Sequence, residues 1–137
     1  MKRFAIFAVV AMIVSACGGD AADGPAVDVA TSGLGDILVD ADGVTLYLFT
    51  PDAQGASTCY DQCATNWPPL EGAVSAGEGV DASLLGTVER TDGTVQATYN
   101  GWPLYYFASD EAAGDTNGQS LQDVWWVVDG AGNAVTG

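Results

Sequence analysis

The sequence contains no histidine, and its two methionines, Met1 and Met12, both fall in the first twelve residues. Zinc, copper and haem sites draw on His, Cys or Met, so beyond that segment only cysteine offers a soft ligand. The same gap removes the commonest general base and every Ser–His or Cys–His pair. Positive charge is almost as scarce. Three bases stand against 18 acids, and two of the three, Lys2 and Arg3, open the chain. After Cys17, Arg90 is the one base against 18 acids, a net charge of −17. Such a surface repels nucleic-acid phosphates and anionic headgroups, so no nucleic-acid partner is expected. The sequence points to no catalytic residues, no metal ligands and no cofactor, and a non-enzymatic protein is the expectation.

The first segment is a targeting element. Lys2 and Arg3 precede the apolar run Phe4–Val14, which is shorter than the roughly 20 residues that span a bilayer as a helix. Small residues follow, then a cysteine, in Val14-Ser15-Ala16-Cys17. This order resembles the lipobox of bacterial lipoproteins, with Val14 in place of the usual Leu. The resemblance implies a signal peptide over 1–16, lipidation of Cys17 and membrane attachment through that lipid. The expected location is extracytoplasmic, at the outer membrane where a cell has two and at the cell surface otherwise. Residues 17–32, rich in Gly, Ala and Asp, are expected to be the lipidated Cys and a flexible tether. The domain is expected over 33–137.

From Gly33 onward the pattern is β. "DILVD" faces "VTLYLF" across Asp42-Gly43, "GTVER" faces "TVQATY" across Asp92-Gly93, and "TVQATY" faces "WPLYYF" across Asn100-Gly101. "VWWVV" faces "NAV" across "DGAG". Asp-Gly and Asn-Gly supply the positive φ angles of tight hairpins, and Val, Thr, Tyr, Phe and Trp fill the strands. Helix is expected only in short pieces, "TCYDQCATN" and "DASLLG".

An offset of 58 maps Gly43, Leu46, Tyr47, Phe49, Asp52 and Trp67 onto Gly101, Leu104, Tyr105, Phe107, Asp110 and Trp125. The chain is therefore internally duplicated, with one repeat over about 33–75 and the other over about 86–137. One half alone has too few strands to bury a face, so the two must share a core. The fold class is all-β: a small antiparallel domain of two pseudo-repeated hairpin units, with one short helical or disulfide-closed segment. Both copies of Tyr-x-Phe-x-x-Asp, "CYDQCATNWPPL" and "NGWPLYYF" resemble the bacterial lipoproteins with a Yx(FWY)xxD motif, a secreted repeat of unknown function. That resemblance implies an exported, often lipid-anchored protein and brings no catalytic residues with it.

Alternation in a strand puts Tyr47 and Phe49 on one face and Leu46 and Leu48 on the other; Tyr105 and Phe107 oppose Leu104 and Tyr106 in the same way. These motif residues, with Asp52 and Asp110, are expected to be structural. Each Asp follows the strand, where it accepts turn N–H groups or a Tyr hydroxyl of the neighbouring repeat. Cys59 and Cys63 are expected to form a disulfide, since exported thiols oxidise and four residues of helix bring their Cα atoms about 6 Å apart. Trp102 and Trp126 are the candidate binding aromatics. The functional expectation is a lipid-anchored cell-envelope module that binds a partner or serves as an envelope component. The alternatives are an accessory to extracytoplasmic electron transfer or thiol redox, and a weak calcium-dependent module.

Overall fold

The computed structural model describes residues 24–52 and 54–136. The expected signal peptide and the expected lipidation site, Cys17, lie outside the described residues. Strand β1 (Ala26–Ser32) pairs antiparallel with β2 (Gly35–Val39), in register from Asp28 opposite Val39 to Ser32 opposite Gly35. The turn between them is closed by Ser32, whose hydroxyl donates to the Gly35 carbonyl and accepts from the Leu34 N–H. Residues 26–32, expected as tether, are thus a strand. Val27 is buried, which anchors this strand in the core.

Strand β3 (Tyr47–Phe49) follows. The expected hairpin with β2 is reduced to a bridge between Val39 and Thr45 and a Leu46 N–H bond to the Leu38 carbonyl, because the Leu38 N–H is taken by the Val128 carbonyl and β3 itself pairs with the strand Trp125–Val127. The intervening Asp40–Gly43 is a turn. Asp40 accepts the Asp42 and Val44 N–H groups through one carboxylate oxygen and the Tyr106 hydroxyl through the other. A short helix, α1 (Gln62–Asn66), then leads to β4 (Ser75–Ala76), which lies parallel to β1.

The second half repeats the plan. β5 (Leu85–Glu89) and β6 (Val95–Tyr99) form a hairpin, and β6 continues into β7 (Trp102–Pro103). Asn100 and Gly101 both take positive φ, 54° and 81°, as a two-residue turn of this hand requires. β8 (Trp125–Val127) closes the fold by pairing with β3.

That last pairing crosses between the repeats. Tyr47 of the first pairs with Val127 of the second, and Tyr105 of the second bridges Pro69 of the first, the same positions under the offset of 58. In the middle, Tyr47 and Tyr105 exchange backbone bonds, N–H to carbonyl, at 2.8 and 3.0 Å. The same reciprocity recurs outward: Leu38 N–H bonds the Val128 carbonyl at 2.7 Å, and Ala97 N–H bonds the Leu70 carbonyl at 2.8 Å. The two halves are therefore related by a pseudo-twofold axis between Tyr47 and Tyr105, and each completes the other's sheet.

Alternation in β3 and its counterpart sorts the core into two layers, as expected. Leu46, Leu48, Leu104, Tyr99 and Val27 fill one. Tyr47, Tyr105, Trp67, Trp125, Ile37 and Val127 fill the other. Trp102 and Trp126 pack half-buried against the first.

Candidate functional site

The two motif copies lock each other. The Tyr47 hydroxyl donates to Asp110 at 2.6 Å, and the Tyr105 hydroxyl donates to Asp52 at 2.7 Å. Each tyrosine thus reaches the aspartate of the opposite repeat. Burial, reinforced by the neighbouring carboxylate, pushes the Tyr47 hydroxyl far above its ordinary range and Tyr105 up to about 12. Both are protonated donors at any physiological pH, so they act as hydrogen-bond clamps rather than as acids or bases.

The two locks differ in their surroundings. Asp52 is 1% exposed and also accepts the N–H and hydroxyl of Thr58. Beside it lies a buried polar chain that the sequence did not reveal. Arg90, 4% exposed, donates through Nη1 to Ser57 and Gln96 and through Nη2 to the Cys59 carbonyl. Ser57 Oγ sits 2.7 Å from both Gln96 Oε1 and the Tyr105 hydroxyl. The Tyr60 ring covers the guanidinium at 4.3 Å. The one base after Cys17 therefore lies inside, where it offsets the buried carboxylate. Burial raises the Asp52 carboxyl above its usual value, against the pull of Thr58, Tyr105 and Arg90. Asp110, half-buried, accepts among the described residues the Asn117 N–H beside its tyrosine.

Around the axis the aromatic rings form one continuous stack. Phe49 lies on Trp125 at 4.2 Å, Trp125 on Trp67 at 3.7 Å with planes 1° apart, and Trp67 on Phe107 at 4.2 Å. Tyr47 and Tyr105 meet the two tryptophans edge-on, each at 5.3 Å. The tryptophans are buried, as their repeat positions suggested, but Phe49 and Phe107 at the ends of the stack are only half-buried.

The half-open ends have a consequence. The stack floors a cleft of about 530 Å³, which also takes Gln62, Cys63 and Asn66 from α1 and Ser109, Leu121 and Gln122 from the second half. Phe49 and Phe107, Trp67 and Trp125, and Cys63 and Leu121 are all offset partners, so the cleft straddles the pseudo-twofold axis. No charged side chain among the described residues lines it. Gln122, which lines it, and its chain neighbours Ser120 and Asp123 have positive φ, 55–63°, as has Asp61 next to the lining Gln62. Conformations of this kind are costly for side-chain-bearing residues and gather at functional sites.

Cys59 and Cys63 form the expected disulfide, with Cα atoms 5.3 Å apart. It ties α1 to the loop that carries Ser57 and Thr58, and Cys63 faces the cleft. The candidate aromatics Trp102 and Trp126 do not line the cleft; both belong to the other core layer. Among the described residues no three His, Cys, Asp or Glu side chains converge as metal ligands. The acidic turns at Asp40, Asp92 and Asp129 instead bond their own backbone N–H groups.

A family model described as a secreted repeat of unknown function matches residues 28–71 and again residues 86–129. The chain belongs to this family. The two matched segments are themselves 58 residues apart, the offset that relates the two locks. This secreted repeat protein has no match among curated proteins or among solved structures. No helix among its described residues is long and apolar enough to cross a membrane.

Proposed function

We propose that the protein is a non-enzymatic binding module, held at the cell envelope by lipid on Cys17, and that its ligand contact is the aromatic cleft on the pseudo-twofold axis. The observation that supports this is the cleft itself. Concave, largely apolar sites with a few placed polar groups are where small ligands bind. Here two half-buried phenylalanines, four amide or hydroxyl side chains and a strained rim meet in one place. The tyrosine–aspartate locks supply rigidity beneath it, since they fix both strands that carry the phenylalanines. Preorganisation of that kind lowers the entropy lost on binding.

The test is sedimentation of purified protein with detergent-washed envelope fragments, in a detergent without a sugar headgroup. Gln62→Ala with Asn66→Ala removes two exposed rim side chains and leaves the core alone. Retention on the fragments should fall about tenfold while the melting midpoint stays put. Equal retention of variant and wild type would remove the cleft from the function. Cys17→Ser tests the anchor separately: it should abolish lipid attachment, and a variant that fractionates and migrates like wild type would exclude it.

A further inference from the structure

We infer that the cleft takes a neutral saccharide, an inference that rests on the binding role just proposed. The first argument is charge. The chain carries 18 acids, yet none of the ten described residues lining the cleft is charged. An anionic ligand would have to approach through a strongly negative field with no cation to receive it, because Arg90 is buried beneath Cys59 and Ser57. A cationic ligand would find no carboxylate among the described lining residues to pair with. A ligand without charge meets neither cost.

The second argument is the pairing of chemistries. Gln62, Asn66 and Gln122 each present an amide donor and an amide acceptor, and Ser109 presents a hydroxyl that does both. A polyol needs that mixture, because each of its hydroxyls donates and accepts. Phe49 and Phe107, half-buried in the lining, add apolar ring surface against which the C–H groups of pyranose rings can pack. The cleft volume of about 530 Å³ suits a ligand of a few rings.

The third argument is symmetry. Because Phe49 and Phe107 are equivalent positions at opposite ends of one stack, the cleft offers two like aromatic rings with the tryptophan pair between them. A polymer of repeating rings can use both, whereas a single small aromatic ligand would use one. An extended peptide would instead seek free backbone edges, and β3 and its counterpart already have both edges paired.

Trp67 and Trp125 make the test direct. The full-length protein, solubilised without a sugar headgroup, is titrated with neutral hexasaccharides (β-1,4-linked glucose, β-1,4-linked N-acetylglucosamine, α-1,4-linked glucose) and with a galacturonate hexamer, following tryptophan emission. At least one neutral hexamer should give a saturable change, the galacturonate hexamer none. Gln62→Ala with Asn66→Ala should weaken the neutral binding about tenfold at an unchanged melting midpoint. No saturable change with any neutral hexamer up to about 10 mM, near the weakest affinity worth the name, overturns the saccharide. So does equal binding by the variant. If envelope retention still depends on Gln62 and Asn66 when every hexamer fails, the ligand class falls and the cleft stands; if retention is also indifferent, both fall.

Discussion

The two tyrosine–aspartate locks have the same bond, the same sequence motif and a common symmetry axis, yet they sit in different media. Tyr105–Asp52 is sealed, with Arg90, Gln96, Ser57 and Thr58 packed around it. Tyr47–Asp110 lies nearer solvent, and its aspartate has one further partner, the Asn117 N–H. Duplication copied the bond but not the environment. In the sealed copy every polar atom must find a partner within the protein, so its loss is costly; in the other, water replaces what a mutation removes.

The strongest way to break this comparison is to empty the sealed side of its cation. Arg90→Met should cost about 3–5 kcal/mol, because it strands the Cys59 carbonyl, removes one bond each from Gln96 and Ser57, and leaves Asp52 without its counter-charge. Against a total of about 5–15 kcal/mol, urea unfolding would show a large fall in midpoint. A loss below about 1 kcal/mol would mean that the buried chain contributes little and that the two locks are alike.

A smaller change sharpens the comparison at equivalent positions. Asp52→Asn should cost about 2–3 kcal/mol and Asp110→Asn about 1 kcal/mol, both read from the same unfolding curves. Equal losses would show that burial does not set the difference.

The smallest effect is one of pH. Burial raises the Asp52 carboxyl above 3.8, so as pH falls the folded state takes up a proton there before the unfolded chain does. Stability linked to this group is therefore fully present below 3.8 and is lost as pH rises through the raised folded value. The amide that replaces this carboxyl in Asp52→Asn has nothing to titrate. The loss caused by Asp52→Asn should thus be somewhat larger at about pH 4 than at about pH 7. A loss that is equal or smaller at the lower pH would contradict the burial of the charge.

The parts of this fold legible from sequence were those written in local chemistry or in the repeat. Asn100-Gly101 declares a turn because few other pairs tolerate two positive φ angles. The alternation of Leu-Tyr-x-Phe declares two buried faces, and the disulfide follows from spacing. The crossed bond from Tyr to Asp was one of two roles open to the aspartates, and both aspartates turn out to accept turn N–H groups as well. What was not legible depends on long-range placement. Ala26–Ser32 has the composition of a tether and becomes a strand only because β2 and β4 flank it. Arg90, a lone base among acids, reads as surface until Ser57 and the Cys59 carbonyl arrive from a segment 31–33 residues earlier in the chain. The cleft escaped because Phe49 and Phe107 have core spacing; only the absence of a covering layer beyond the stack, among the described residues, leaves their ends open.

The exchange of closing strands carries one more consequence. Tyr47 pairs with Val127 and Tyr105 with Pro69, so neither half owns a complete sheet. Bonds that run from each copy to the other and back are what a symmetric homodimer makes, with one self-complementary patch used twice. A chain with a single copy would carry that patch unsatisfied and would find its match on a second such chain. The segment between Leu70 and Leu85 turns that encounter between two molecules into an event within one, at a fixed effective concentration. Cut there, a fold indifferent to dilution becomes one that dilution dissolves.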